Sequence, residues 1–489
     1  MIALAQNRPA PAGPGLEQFQ FRMVASGGFG DPLNSYAHTM AWFRDRLYIG
    51  TTRANLCLIK EHLALPLLCW PVKCPPDLYD LDLRAQIWRY DPADGRCTRV
   101  HVSPMVVGRT GQTVPREIGF RGIAVYQAPS DPAPALYLST WAPSRALGSI
   151  ILRSVDGEEF VPVSEPGLVG DAEVSSFRSL VPFKGRLFTS ATGMVSGKPN
   201  LGIPVIYENA DPGNEPWRPV NVPGFGSPAN VTVFEIIPFN GFLYTGTVNI
   251  ARGYEIWKTR AEGTPPYRWK RVIERGAYRG PLNEGVASMC EFRGALYVGS
   301  GIQNGGYDRA NKIGPGAPEL IRIHPDDTWD LLIGQERDTP HGTYSPLSGL
   351  GPGANDGFNG YFWRMAVFDG WLYLGTYNWS CFLPYFRPSP SPDLIERVGR
   401  WIGVDNIVKF EGGFDLFRSR DGVEWIPVTT TGFGNPYNYG ARTMVAEGPG
   451  LFIGTANPFG PEVAIRTRLG WTYVPNARGG AELWLGSSI

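Results

Sequence analysis

The sequence predicts an all-β chain built from seven repeats of a four-stranded unit. Three observations carry that prediction: a short phrase that recurs along the chain, a fixed order of strand-like runs around it, and a composition suited to strands and turns. The phrase is clearest at residues 239–247, Phe-Asn-Gly-Phe-Leu-Tyr-Thr-Gly-Thr. It returns at 43–51, 183–191, 292–300 and 368–376, and in degenerate form at 126–140 and 447–455. Each copy reads as the end of one strand, a tight turn and a second strand, with Asn240-Gly241 and Asp369-Gly370 the clearest hairpin signals. Repetition at this spacing calls for a stacked or radial architecture.

Unit four shows the full order: strand one at 231–239, strand two at 242–247, strand three at 254–258 and strand four at 269–273. The third strand recurs at 86–89, 150–153, 205–208, 319–322, 415–418 and 482–485. The fourth recurs near 98–100, 160–163, 217–220, 329–332 and 425–428. Four strands per unit, seven units and no long helix match a seven-bladed β-propeller. Unit seven stops at its third strand. The stray strand at 17–25 is followed by Gly27-Gly-Phe-Gly-Asp-Pro-Leu-Asn34, which is similar to Gly432-Phe-Gly-Asn-Pro-Tyr-Asn438 after a fourth strand. The N-terminal strand is therefore expected to complete the last blade, close the ring and hide its edges. Residues 1–16 are expected to be a flexible arm, and 17–489 a single domain.

The composition excludes some partners. Lys+Arg and Asp+Glu are equal at 45 each, so there is no basic field for nucleic acid and no acidic tail. Gly 61 and Pro 45 fit many short strands joined by turns. No run approaches the roughly 18 apolar residues of a membrane span, and the first 16 residues lack the pattern of a signal peptide. The six cysteines are unevenly placed; Cys290, on an inner strand, favours a buried free thiol, and a reducing, cytoplasmic setting is expected. Cys57, His62, Cys69 and Cys74 form the one metal-like constellation. They read as small apolar residues of a leucine-rich insertion, as zinc ligands or, last, as a disulfide, and their spacing matches no standard zinc pattern. No other cofactor is expected.

In an up-and-down blade, the loops between strands two and three share one face. Five of them are long: 52–84, 192–204, 301–318, 377–413 and 456–480. These insertions are expected to form a lid over the channel mouth, chiefly through 52–84 and 377–413. Long loops on a rigid scaffold are where binding and catalysis usually reside. Within the lid, residues 393–402 have apolar positions at helical spacing after an Asp cap.

The residues that differ between units sit just before the repeated phrase. Five positions before its first residue stand His38, Arg121, Arg178, Phe234, Ala287, Trp363 and Arg442. The next position includes Thr39, Glu235, Ser288, Arg364 and Thr443, and the one after is an apolar column from Met40 to Met444. Polar groups thus gather at the mouth above an apolar plug. Buried arginines need a counter-charge. They are either struts paired with Glu235 or backbone carbonyls, or ligands for a carboxylate, phosphate or sulfate. His38 is the candidate for acid–base work, with Glu235 and Tyr377. Tyr36, Arg121, Arg178, Tyr361, Trp363, Arg364, Asn378 and Arg442 are the candidate substrate-binding residues. The column Asn34, Asn230, Asn283, Asn359 and Asn438 reads as loop fixation.

Ser154-Val-Asp-Gly and Ser419-Arg-Asp-Gly resemble the Asp-box turn of sialidase-type propellers, shortened by one residue. Phe120-Arg-Gly-Ile123 departs from the Phe-Arg-Ile-Pro motif of that family, which is six-bladed. Carotenoid-oxygenase propellers need four inner histidines, and here only His38 qualifies; kelch and WD signatures are absent. At the level of fold alone, the chain is similar to bacterial natural-product enzymes that alkylate resorcinols or carboxylates, but without their added calcium-binding domain. The expected function is binding of a small anionic, aromatic or partly apolar molecule by an enzyme of secondary metabolism. Its reaction would be of transferase or hydrolase type, alkyl transfer among them. The alternatives are a non-catalytic interaction scaffold and a sialidase-like glycoside hydrolase.

Overall fold

A computed structural model describes residues 13–62, 67–170, 173–195, 198–199, 204–301, 316–387 and 394–488. It is mostly β. The phrase around Phe239 is a two-residue hairpin: Asn240 and Gly241 take φ of 47° and 75°, the left-handed pair that matches the twist of the flanking strands. Arg44–Asp45, Lys184–Gly185, Arg293–Gly294 and Asp369–Gly370 repeat it. Each hairpin joins an inner strand to a second strand. The inner strands are Asn34–Phe43, Gly119–Tyr126, Val174–Phe183, Thr232–Phe239, Gly285–Phe292, Asn359–Phe368 and Gly440–Glu447.

Consecutive inner strands touch one another in chain order, and Gly440–Glu447 touches Asn34–Phe43. Single backbone bridges link the units: Thr52 to Gly119, Trp141 to Ser176, Val248 to Gly285, Gly301 to Tyr361, Tyr377 to Gly440 and Ala456 to Tyr36. Units three and four meet through Thr192 and Thr232, whose hydroxyls are 3.1 Å apart. The glycine inside the phrase allows this approach, since a Cβ on Gly246 or Gly375 would fall 2.4 Å from Val286 or Ala441 of the next unit. Met40, Leu180, Ile236, Met289, Met365 and Met444 are buried, but each packs in a separate apolar cluster and not in one plug.

Phe21–Ala25 pairs antiparallel with Leu483–Gly486, which pairs on its other side with Gly450–Ala456. The expectation of a free arm up to residue 16 fails at its C-terminal end. Leu16 is buried, its amide donates to the Tyr373 hydroxyl at 2.7 Å, and Trp371 Nε1 donates to the Gly13 carbonyl at 2.7 Å. The apolar side chain and these two hydrogen bonds hold the segment down. Residues 1–12 lie outside the described residues.

The Asn column builds a recurring latch. Each side chain is fully buried, and its Nδ2 bonds two acceptors. One is a glycine carbonyl of the preceding loop: Gly28, Gly224, Gly276, Gly353 or Gly432, at 2.9–3.0 Å. The other is a side-chain oxygen at the start of the third strand: Gln86, Glu255, Glu319, Asp415 or Glu482, at 2.6–2.9 Å. One amide thus ties loop, inner strand and third strand together. The Asp-Gly turns are also self-capped: Asp156 and Asp421 each accept from the two amides that follow Gly157 and Gly422.

Three insertions pack into one body. The first carries helix α1 (Asn55–His62); the sixth carries α2 (Leu394–Ile402) and α3 (Val404–Glu411); the seventh folds as a hairpin, Glu462–Thr467 with Gly470–Pro475. Bridges at Leu67–Phe386 and Val72–Val463, and the Tyr385 hydroxyl bonded to the Ala464 carbonyl at 3.0 Å, tie them together. The insertion 301–318 lies largely outside the described residues, and 192–204 lies partly outside them. The zinc reading is corrected. Cys57 and Cys74 form a disulfide, which removes two thiolates from any ligand set, and Cys69 sits with the Tyr473 hydroxyl 3.7 Å away. The side chain of His62 lies outside the described residues. Cys290 is a free, half-buried thiol. Among the described residues no helix is long and apolar enough to cross a membrane.

Candidate functional site

Every inner strand carries a register shift at an equivalent position, and three carry a second one nearer their start. Pairing skips from Ala37 to Thr39, Phe120 to Gly122, Phe177 to Leu180, Val233 to Glu235, Val286 to Ser288, Phe362 to Arg364 and Ala441 to Thr443. The skipped residues are His38, Arg121, Arg178 with Ser179, Phe234, Ala287, Trp363 and Arg442. A β-bulge leaves its extra residue out of the ladder and re-aims its side chain. The variable column therefore stands at the bulge of every unit, a ring in which unit three leaves out Ser179 as well.

Arginines dominate this ring. The Arg178 guanidinium lies 4.1 Å from the Phe234 ring, Arg442 lies 5.2 Å from Trp363, and Arg121 lies 3.7 Å from Trp141, so each is stacked on an aromatic face. Arg121 also donates to Ser176 Oγ at 2.7 Å. Beside the ring, Arg364 pairs with Glu235 at 3.1 Å. Arg178 and Arg442 make no ion pair among the described residues. Arg442 is buried, with Nε and Nη1 unpartnered. Burial lowers Arg442 to about 9, helped by Arg364 and Arg178, and lowers Arg178 to about 10. Both stay protonated at neutral pH.

His38 is buried among these cations. Its Nδ1 meets Thr52 Oγ1 at 2.6 Å, and its Nε2 has no partner. Burial first, then the charges of Arg442, Arg121, Arg178 and Arg364, push it well below the ordinary imidazole range. It is neutral at physiological pH, and when Nδ1 carries the proton, Nε2 presents a bare lone pair.

An aromatic layer covers the ring. Tyr361 and Tyr377 lie 4.9 Å apart, Tyr377 and Tyr439 4.9 Å apart, and Trp363 packs edge-on to Tyr36, Tyr361 and Tyr377. Bare backbone makes room, since a Cβ on Gly440 would fall 2.1 Å from the Trp363 ring. The Tyr36 hydroxyl donates to Asn55 Oδ1 at 2.7 Å and shares a hydrogen bond with the Tyr439 hydroxyl. Burial raises all four phenols, Tyr36 to about 12. The buried Glu284 raises Tyr361 further. Insertion residues Leu56, Leu58, Phe382 and Phe459 pack on the layer in one apolar cluster.

The predicted residues thus divide. His38, Glu235, Arg121, Arg178, Arg364, Arg442, Tyr36, Tyr361, Trp363 and Tyr377 meet at the ring or its cover. Asn378 does not: it is fully buried, its Nδ2 donates to Asp356 at 2.9 Å and its Oδ1 accepts from Ser380. Its amide is spent on loop geometry. Tyr439 escaped the sequence reading because the aromatic stands directly after Asn438, where unit six has Gly360 before Tyr361.

No protein-family model matches the chain, and no curated protein matches it. Among solved structures, a puromycin-hydrolyzing peptidase of Mycobacterium tuberculosis aligns with 94% of the chain at 13% identity and a TM-score of 0.45; the chain spans 56% of that protein's length. An alpha-L-arabinanase of Penicillium chrysogenum aligns with 70% of the chain at 11% identity and a TM-score of 0.35, over 88% of its own length. A Trypanosoma rangeli sialidase aligns with 70% of the chain at 9% identity and a TM-score of 0.37, over 52% of its length. These structural neighbours are propeller-type folds.

Proposed function

We propose that the chain is a seven-bladed β-propeller, closed by pairing of Phe21–Ala25 with Leu483–Gly486, that binds a small organic anion at its lidded mouth. The observation that carries this reading is the pair of guanidiniums, Arg178 and Arg442, that make no ion pair among the described residues. Two uncompensated buried cations beside a single Arg364–Glu235 pair are unfavourable unless an anion joins them. A carboxylate or phosphate offers the bidentate geometry a guanidinium prefers. The tyrosine and tryptophan layer supplies an apolar surface for an aromatic or partly apolar body.

The same geometry supports an enzyme. A neutral His38 with a free Nε2 is a candidate general base, held in that state by burial first and then by its cationic neighbours. The arginines would stabilise negative charge as it develops. Transfer or hydrolysis on an anionic, aromatic substrate of secondary metabolism fits these groups. The Cys57–Cys74 disulfide favours an oxidising setting over the cytoplasmic one expected from the sequence. A scaffold role is the second reading, favoured by Trp401, Ile402 and Phe410, exposed on the lid helices.

The test is mass spectrometry of small molecules retained by the purified protein, followed by calorimetric titration with benzoate and with phosphate. Binding by the wild type that is lost in Arg442→Ala and Arg178→Ala supports the site. Unchanged binding in both variants, or none in the wild type, sinks it.

A further inference from the structure

The five Asn latches act as controls for one another, and unit six stands apart. In unit one, the residue nineteen after the latch asparagine is Arg53. Its Nη1 sits 2.6 Å from Asp31 Oδ2 and 3.0 Å from Asn34 Oδ1, so a buried cation joins the loop carboxylate to the amide oxygen. In unit four, Asn249 Nδ2 reaches Asn230 Oδ1 at 3.0 Å and Arg271 neutralises Glu255. In unit five, Arg279 reaches Asn283 Oδ1 at 3.3 Å, and Arg337 pairs with Glu319 at 2.9 Å. In unit seven, Asn457 Nδ2 reaches Asn438 Oδ1 at 3.1 Å, and the single acid, Glu482, accepts from Asn435, Asn438 and Trp484. Each of these latches gives its asparagine oxygen a donor and meets its acid with a cation or several donors.

Unit six leaves its asparagine oxygen without a donor and brings no cation to its acids among the described residues. It carries two acids, Asp356 at the place of Asp31 and Asp415 at the place of Gln86. Among the described residues no Lys or Arg pairs with either. The position of Arg53 is Asn378, which gives Asp356 Oδ2 one hydrogen bond at 2.9 Å and turns its own oxygen to Ser380; Asp356 Oδ1 accepts from the Phe358 amide at 2.8 Å. Asn359 is fully buried and its Oδ1 has no partner. Rotating that amide does not help, because its Nδ2 is already held by two acceptors, the Gly353 carbonyl at 3.0 Å and Asp415 at 2.7 Å. In unit one the equivalent oxygens of Asp31 and Asn34 converge on one nitrogen, so the repeat places those of Asp356 and Asn359 around the same point, with Asp415 beside it. Glu411 lies near enough to act electrostatically on both acids, adding a third negative charge. Asp356 is only half-buried and leaves a way in, whereas Asp415 is buried.

We propose that the unit-six latch binds one hard divalent cation, calcium by its ligand chemistry, through Asp356, Asp415 and the side-chain oxygen of Asn359. Carboxylate and amide oxygens with no nitrogen or sulfur donor suit calcium, whose flexible coordination water completes. The ion would do in unit six what Arg53 does in unit one.

The test uses the full chain, stripped with chelator and measured at pH 8. Equilibrium dialysis with calcium chloride is expected to show one saturable site, and calcium to raise the melting temperature. Asp415→Asn should remove both. Asn378→Arg should also remove both while raising the melting temperature of the calcium-free protein, because it installs the internal cation of unit one; that gain separates lost binding from misfolding. No saturable calcium in the wild type, binding unchanged in both variants, or the same thermal shift from potassium chloride at equal ionic strength would overturn the proposal.

Discussion

Arg442 shows how far a single residue can depart from what packing alone would choose. Its guanidinium is buried on Trp363 with two nitrogens unpartnered, so without an anion it is a burden on the fold. Arg442→Met, similar in volume and apolar, is expected to stabilise the ligand-free protein by about 1–3 kcal/mol while abolishing anion binding; urea unfolding with and without phosphate checks both halves. His38 gives a pH signature. Its imidazole is held below the ordinary value in the fold, so the unfolded chain takes up a proton first as pH falls through about 6.5. Stability is therefore fully present above that value and is lost as pH falls toward the folded pKa, at no more than about 1.4 kcal/mol per pH unit. Asp356 and Asp415 work in the opposite sense, being raised to about 6 and about 7 by burial and neighbouring acids. The clean measurement is hence the difference between wild type and His38→Gln at pH 7.5, 6 and 5. The wild type should lose ground to the variant as pH drops.

At the level of the strand and its loop, the latch explains why an asparagine recurs where any polar residue would seem to serve. Only an amide offers two donors to the glycine carbonyl and the third-strand acid, plus an oxygen for a third partner. Asn230→Ala leaves the Gly224 carbonyl and Glu255 short of a donor in a buried place, and a loss of about 2–4 kcal/mol is expected in urea denaturation. Much of this level was legible in the sequence. The hairpin pairs, the third strands, the helix near 394–402 and the fixing role of the asparagines all follow from local residue chemistry. What was not legible depended on distance in the chain. Leu16 reads as arm until Tyr373, far away in sequence, gives its amide a partner. Cys57 and Cys74 read as spaced thiols until the fold brings α1, which carries Cys57, beside the segment that carries Cys74. Asn378 looked like a mouth residue because its neighbour Tyr377 is one, but adjacent strand residues face opposite ways.

The whole molecule depends on a pairing between its two ends. Leu483–Gly486 has Gly450–Ala456 on one side and Phe21–Ala25 on the other. Deleting residues 1–25 bares that edge, together with the surface covered by Leu16 and Phe21. The truncated chain is expected to melt lower and to aggregate, because an open strand edge templates further pairing; light scattering during a thermal ramp checks this. Deleting only residues 1–12 leaves the pairing intact and serves as the control.

The bulge in each inner strand has a consequence for how such a site changes over time. The skipped residue contributes nothing to strand register, so its identity is free of the hydrogen-bond ladder that fixes its neighbours. Ala287 and Arg442 occupy the same place in two units whose backbones pair alike. The ring is in effect a panel of seven separately addressable positions on an invariant frame. Mutation can rewrite the charge and shape of the mouth one position at a time, and an engineer wanting a second imidazole there has a ready slot at Ala287.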